Sequence, residues 1–233
     1  MTSRTVQSSQ RTMVRGPTFI RLLARLTDVE TPPSSQSLSD RLSQWLEWTH
    51  AIALSTALDG TPSAPAKDVP AFGGAQEDEC VRARASLVNA IVGARELALS
   101  GDRDAGRGAG VDETADYTLF RQRYLALQRS MQATTGQLRG RLRDMLAAKS
   151  PALARLAEVD AVMELALSPR EQKLLGAVPT VLGGHFDRLR QREQAGSGAW
   201  MDVFRKDMRS VLLAELDVRF QPVDGLLAAL RAS

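Results

Sequence analysis

The sequence predicts an all-α fold: a multi-helix bundle with one long central helix and no sheet. Apolar residues recur at spacings of three and four residues along most of the 233-residue chain. No segment alternates apolar and polar residues in the way that a half-buried strand does. Apolar residues make up 43% of the chain, which is ordinary usage for a protein with a core. Helices packed around that core are therefore the predicted architecture.

The first 60 residues are predicted to form a tail and a helical hairpin. Residues 1–15 lack apolar periodicity, which predicts a disordered basic tail. Pro17 suits the first position of a short helix. Ser37 is expected to cap a second helix, which runs without a break to Asp59. Together these helices give a predicted N-terminal hairpin over residues 16–60.

A linker and a main body are expected to follow this hairpin. Residues 61–75 are rich in Pro, Gly and Ala, which predicts a linker. The main helical bundle is then expected over residues 76–233, with its first helix over 76–100. Because proline lacks a backbone donor, Pro169 is expected to open a new helix, and Pro222 is expected to end the last long one.

The strongest helical pattern predicts the long central helix, at about residues 114–149. Its apolar residues alternate between spacings of three and four, which suits packing along a partner helix at a shallow angle. The residues of this seam are Tyr117, Phe120, Tyr124, Leu127, Met131, Thr134, Leu138, and Leu142 or Met145.

The same segment is basic. The chain carries a net charge of only +3, yet residues 117–149 hold six Arg and one Lys against one Asp. Residues 28–80 hold nine acidic residues against two basic ones. Such patches can pair with each other or present a basic surface to a partner, and the sequence leaves both open.

Four arginines on one side of the seam are predicted as partner contacts. Arginines that border an apolar seam often pair with acids of neighbouring helices, and the acidic residues at 28–80 offer such acids. If the guanidinium groups were free on one face, they would suit nucleic-acid phosphates instead. The four are Arg121, Arg129, Arg139 and Arg143.

Trp48 is the other predicted partner contact. It lies off the apolar face of the second predicted helix, by helical geometry. This position indicates either burial between several helices or an exposed patch for a partner. Burial is the favoured interpretation, because residues 16–60 must pack on something.

No catalytic, cofactor-binding or metal-binding residue is predicted, so the chain is interpreted as a non-enzyme. The chain contains only two histidines and one cysteine, none at ligand spacing, and His185 is expected to be a hydrogen-bonded structural residue. The loop at 102–113 places acids at three positions of a calcium-binding loop. It nevertheless has Arg107 where the sharp turn needs Gly, so a solvated loop is expected.

A cytoplasmic location is expected. The single Cys80 cannot form an internal disulfide. The first fifteen residues lack the apolar block of a secretory signal. No apolar stretch is long enough to cross a bilayer, so no membrane insertion is predicted.

Two stretches near the N-terminus carry a resemblance to a known family. Residues 16–26 read GPTFIRLLARL and residues 36–46 read QSLSDRLSQWL. The chain, most closely over residues 16–60, resembles an uncharacterised family of proteobacterial proteins known only as a domain of unknown function. The resemblance implies a bacterial cytoplasmic setting and carries over no catalytic residue or cofactor.

These patterns together predict a non-enzymatic helical interaction or scaffold protein, which acts by docking a helix face on a protein partner. Self-association is also open, since the long seam could continue between chains. The alternative is a nucleic-acid-binding protein that uses the basic side of the long helix.

Overall fold

The computed structural model describes residues 18–27, 37–61, 69–70, 72–99, 116–192 and 199–233. Every regular element within these ranges is a helix, which confirms the predicted all-α fold. The helices are α1 (Thr18–Thr27), α2 (Leu38–Trp45), α3 (Trp48–Asp59), α4 (Gly74–Val92), α5 (Tyr117–Lys149), α6 (Pro151–Gly176), α7 (Val178–Arg192) and α8 (Ala199–Arg231). The predicted tail at 1–15, most of the predicted linker at 61–75 and the loop at 102–113 lie outside the described residues.

The long helix α5 is central, as predicted. It packs against α4, α6, α7 and α8, and its 33 residues extend for about 50 Å. The core is shared mainly with α8, whose length α5 matches. The buried residues of α5 include most of the predicted seam, namely Phe120, Tyr124, Leu127, Met131, Leu138, Leu142 and Met145. Each such side chain contributes about 1.5–3 kcal/mol when it leaves water.

The predicted cap at Ser37 is confirmed, and Ser150 forms a second cap. The Ser37 hydroxyl accepts a hydrogen bond from the Asp40 amide at 3.1 Å, and the Asp40 carboxylate accepts one from the Ser37 amide. Ser150 caps α6 by accepting from the Leu153 amide at 3.3 Å. These bonds satisfy amides that a helix start leaves without partners.

The second predicted helix is not continuous, and this part of the prediction is wrong. The backbone becomes extended at Leu46 and Glu47, so α2 and α3 are separate helices. The break lets the Trp45 ring lie 4.8 Å from the guanidinium of Arg170 on α6, while α3 packs along the same helix. Because the break changes the helical phase, Ile52 is half exposed, whereas Ala57 is buried.

The first helix of the main bundle ends earlier than predicted. The helix α4 stops at Val92, where the Gly93 amide bonds to the Asn89 carbonyl. A short 3₁₀ turn follows at Arg95–Leu97, and the Leu97 side chain is fully buried. The chain therefore leaves the helix to place Leu97 in the core.

The predicted breaks at Pro169 and Pro222 are also wrong. Both prolines lie inside continuous helices, α6 and α8 respectively. A proline removes one backbone hydrogen bond, but packing can hold the flanking turns in place. Beyond Pro222 this packing comes from a run of buried residues: Val223, Leu226, Leu227 and Leu230.

The N-terminal helices pack on the main body. The helix α1 lies against α7 and α8, and the Arg188 guanidinium donates to the Leu26 carbonyl. The helix α3 lies against α6. These contacts do not test the division into a hairpin at 16–60, a linker at 61–75 and a bundle at 76–233, which stays a prediction.

Candidate functional site

Two of the four predicted contact arginines hold α6 against α5. The Arg139 guanidinium makes a two-pronged contact with the Asp160 carboxylate, with both N–O distances 2.7 Å. Arg143 pairs with Glu164, one turn farther along α6. The side chains of Arg139 and Arg143 are 15% and 19% exposed. Planar pairing of this kind is the geometry that guanidinium groups favour with carboxylates.

The arginines on the other side of the seam are paired as well. Arg123 donates to Glu96 at 2.8 Å, and this hydrogen bond holds the pKa of Glu96 below its usual value. Arg141 pairs with Glu79 on α4. Of the acidic residues at 28–80, only Glu79 pairs with an α5 arginine within the described part of the chain. The other partners come from the 3₁₀ turn and α6, which the sequence prediction missed.

Arg121 and Arg129 remain on the surface. Both side chains are exposed, and neither forms an ion pair with a carboxylate of the described residues. The Nε of Arg129 donates to the Leu125 carbonyl of its own helix at 3.3 Å. The predicted basic side therefore divides into a paired half at Arg139 and Arg143 and an open half at Arg121 and Arg129.

Trp48 is 79% exposed, so the favoured interpretation of burial is wrong. The reason is the break before α3, which turns Trp48 away from α6. The opposite side of α3 packs on α6, with Ala57 buried between them. At the far end, the Arg155 guanidinium donates to the Gly60 carbonyl. At the near end, Arg170 of α6 lies over Trp45, the last residue of α2. Contacts with α6 at both ends of α3 therefore fix its orientation.

The exposed side of α3 carries an uncharged, mostly apolar stripe. We call this stripe the outer face of α3 and define it as Trp48, Ala51, Ile52, Ser55 and Leu58. The three large side chains are 79%, 51% and 53% exposed. Their spacing places all five residues within about a third of the helix circumference, along about 15 Å. The helix α3 is therefore apolar both on its packed side and on its open side.

Acidic residues mark the two ends of this face. Glu47 is exposed just before α3, and its side chain makes no capping bond. Asp59 closes the helix and accepts a hydrogen bond from the Ser55 hydroxyl at 3.3 Å. A partner that covers the outer face of α3 would meet apolar groups in the middle and negative charge at each end.

A buried polar network lies between α5 and α8, and sequence reasoning missed it. The Glu215 side chain is fully buried, and its carboxylate accepts from Tyr124 at 2.6 Å and from Gln128 at 3.0 Å. Arg219 pairs with it at 2.8 Å and reaches Glu171 at 3.4 Å. A usable signal existed, because Gln128 and Glu215 interrupt apolar runs at core spacing.

This network is organised for structure rather than for proton transfer. Burial first, and then the neighbouring Glu215, raise the pKa of Tyr124 well above its usual value, so its hydroxyl stays protonated and donates. Both oxygens of Glu215 are engaged by donors, and the side chain has no access to solvent.

His185 and Cys80 occupy structural positions. The His185 Nε2 lies 2.9 Å from the Asp207 carboxylate, so the predicted hydrogen-bonded histidine is confirmed. Cys80 is buried in the core. Within the described ranges, no group of three or more His, Cys, Asp or Glu residues is placed to hold a metal ion. None of the helices in these ranges is both long and apolar enough to cross a membrane.

Comparison with known proteins identifies one family. No curated protein and no solved structure matches the chain. A family model described as "Protein of unknown function (DUF3348)" matches residues 5–232, so the similarity extends far beyond the resembling stretch at 16–60. The chain belongs to this family of unknown function.

Proposed function

We propose that this chain is a non-enzymatic helical interaction protein, whose outer face of α3 docks on a helix of a protein partner. One observation carries the proposal: α3 is apolar on both sides, and the body of the protein covers only one of them. A helix that is apolar all round is ordinarily buried all round. The partner would complete that burial.

The free energy available from covering the outer face of α3 supports docking. Trp48 alone is 79% exposed, and tryptophan is the residue type that most often dominates the binding energy of an interface. Covering Trp48, Ile52 and Leu58 would contribute about 1–3 kcal/mol for each side chain. The scaffold beneath is held at Trp45 and Gly60, so little ordering of α3 opposes binding.

The charges around the face favour a particular partner. The middle of the outer face of α3 is uncharged, so it suits an apolar helix stripe. Glu47 and Asp59 lie at its ends, so basic residues at the ends of the partner helix would be attracted. A second copy of this chain would bring acids against acids at those ends. We therefore commit to a different protein with a basic-ended apolar helix, and not to self-association.

Nucleic-acid binding is retained as the alternative hypothesis. The pairing of Arg139 and Arg143 with acids of α6 leaves Arg121 and Arg129 as the unpaired members of the predicted set within the described residues. Phosphate binding draws its strength from many free cations, so this pairing counts against it. No contact in the structure favours it over docking.

We propose the cytoplasm as the compartment of this interaction. The only cysteine of the chain, Cys80, is buried and has no second cysteine to pair with, which fits a reducing environment. A bacterial setting rests on the resemblance of residues 16–60.

The experiment compares two matched variants in the host cells. Tagged wild type, Trp48→Ala and Val81→Ala are purified under native conditions, and the complexes are weighed by native mass spectrometry. Val81 on α4 is 66% exposed and lies outside the outer face of α3, so it is the control. We expect one stoichiometric partner with wild type and Val81→Ala, and its loss with Trp48→Ala. A partner retained by Trp48→Ala, or lost equally by both variants, would contradict the proposal.

A further inference from the structure

A cleft opens between α5, α6 and α8, on a different part of the molecule from α3. It consists of two adjoining cavities of about 260 and 450 Å³. Gln132, Gln172 and Arg219 line both of them, so the two cavities are neighbours. The larger cavity is within the size range of small-molecule sites, about 300–1,000 Å³.

The larger cavity has an unbalanced charge. Arg129 and Arg219 are its only charged lining residues within the described chain. Arg219 pairs with two carboxylates, the buried Glu215 at 2.8 Å and Glu171 at 3.4 Å. Arg129 makes only a bond to a backbone carbonyl of its own helix. Arg129 is therefore the charged lining residue of the larger cavity that has no carboxylate partner among the described residues.

The floor of the cleft is fixed by the buried network. The Gln128 amide donates to the Leu175 carbonyl and to Glu215, both at 3.0 Å, and so joins α5 to α6 and α8. Replacing a buried ionic network by apolar residues is often neutral or stabilising. The network therefore holds Gln128 and Arg219, which line the larger cavity, in fixed positions.

The remaining lining groups indicate the chemical class of ligand that would fit the cavity. Leu125 and Leu175 supply apolar walls, whereas Gln132 and Gln172 present amides that do not hydrogen-bond to any other described residue. Amides and one guanidinium suit a planar carboxylate. A phosphate dianion would call for two uncompensated cations, and the cavity has one.

We propose that this cleft binds a small organic acid, with its carboxylate on Arg129 and the glutamine amides and its short apolar part between Leu125 and Leu175. The site is independent of the outer face of α3, and either proposal can fail without the other.

Hexanoate and benzoate are suitable probes for the cleft. Each is titrated into the purified full-length chain by isothermal calorimetry at constant ionic strength, and inorganic phosphate is titrated in parallel. We expect saturable binding of the two carboxylates, and much weaker binding of phosphate.

Two exposed arginines of the same helix provide the variant and its control. Arg129→Ala should weaken carboxylate binding about tenfold or more, because it removes a charged hydrogen bond. Arg121→Ala removes the same charge from α5 but does not line the cleft, so its affinity should equal that of wild type. Thermal unfolding of both variants checks that each is folded.

Three results would overturn the proposal. The first is no saturable heat with either carboxylate at millimolar concentration. The second is an equal loss of affinity in Arg129→Ala and Arg121→Ala, which would indicate nonspecific attraction to positive charge. The third is phosphate binding as tight as that of hexanoate, which would leave no function for the apolar walls.

Discussion

The helices α3 and α5 depart from the ordinary apolar-inside pattern in opposite directions. The helix α5 is surrounded by four helices and buries a polar side chain, Gln128. Among the described elements, α3 packs mainly on α6, and it exposes its largest apolar side chain, Trp48. In α5 the departure is compensated inside the chain, because Gln128 has its hydrogen-bond partners in Leu175 and Glu215.

In α3, no described residue covers the exposed apolar side chain of Trp48. Apolar groups in water carry a free-energy cost that folding of this chain does not remove. The difference teaches where to look for function in a helical bundle without a catalytic motif. Polar groups inside belong to the rigid body, and a cluster of uncovered apolar groups is a candidate surface for binding another molecule.

The largest expected effect on stability lies inside the α5–α8 interface. Glu215→Ala would leave Arg219 buried without its main counter-charge and remove the acceptor of Tyr124 and Gln128. Breaking a buried ion pair in this way lowers the free energy of unfolding by about 3–5 kcal/mol. Urea unfolding measures the loss. Glu215→Gln keeps an acceptor oxygen but removes the charge, so it should cost less than Glu215→Ala. Equal costs would show that the charge alone, and not the acceptor capacity, accounts for the loss.

A smaller effect is expected from Tyr124→Phe. This change removes only the hydroxyl that donates to Glu215 at 2.6 Å and keeps the buried ring. A hydrogen bond to a charged group contributes about 1.5–3 kcal/mol. Thermal and urea unfolding should show that loss with an unchanged helical circular dichroism spectrum. If this variant were as stable as wild type, Gln128 and Arg219 alone would be sufficient to stabilise the buried carboxylate of Glu215.

The ion pairs between α5 and α6 should contribute less again. The coupling between Arg139 and Asp160 is measured by a double-mutant cycle with alanine at both positions. Their side chains are 15% and 16% exposed, so we expect a coupling free energy of about 1 kcal/mol. A coupling of zero would show that the Arg139–Asp160 pair does not stabilise the contact between α5 and α6.

The Glu96–Arg123 pair should give a small pH dependence. Its hydrogen bond holds the folded-state pKa of Glu96 below 4.5, the usual value. Because the folded pKa is the lower one, the stabilisation is complete above that value and is lost as the pH falls through the folded pKa. The pair is about a third exposed, so about 0.2–1 kcal/mol is at stake.

Urea unfolding of wild type and Glu96→Gln at neutral and strongly acidic pH tests this contribution. The difference in stability between the two proteins should be largest at neutral pH and should shrink in acid. A difference that is constant across this range would show that the hydrogen bond does not control the titration of Glu96.

The smallest effect on stability is expected at the outer face of α3. Trp48 is 79% exposed, so Trp48→Ala should change the free energy of unfolding by no more than about 0.5 kcal/mol. The same change should abolish partner binding. Apolar residues that stabilise the fold would then be distinguished from apolar residues that bind a partner. A large loss of stability would instead mean that Trp48 packs within the monomer.

The sequence was sufficient for the all-α class and the long central helix, but not for every helix boundary or for the surface. The seam of α5 and the Ser37 and Ser150 caps depend on local spacing, and local spacing is visible in the sequence. The continuity of α8 through Pro222 was not predictable, because it depends on packing of the residues that follow.

The candidate site was predicted only in part, for a related physical reason. Residue types indicated Trp48 and the α5 arginines, but their exposure depends on tertiary contacts. Trp48 points outward because the backbone is extended at Leu46 and Glu47, just before α3. Arg139 is paired because the following helix, α6, places Asp160 beside it. The polar cleft needs three helices to form, so no single stretch of sequence reveals it.

Oxidative footprinting of Trp48 tests the central claim most directly. Hydroxyl-radical labelling is carried out on the purified chain and on the same chain within intact host cells, with partly buried Trp200 as the internal reference. We expect Trp48 to be oxidised readily in the purified chain and to be protected several-fold in cells, relative to Trp200. Equal reactivity of Trp48 in both settings would mean that nothing covers the outer face of α3, and would contradict the docking function.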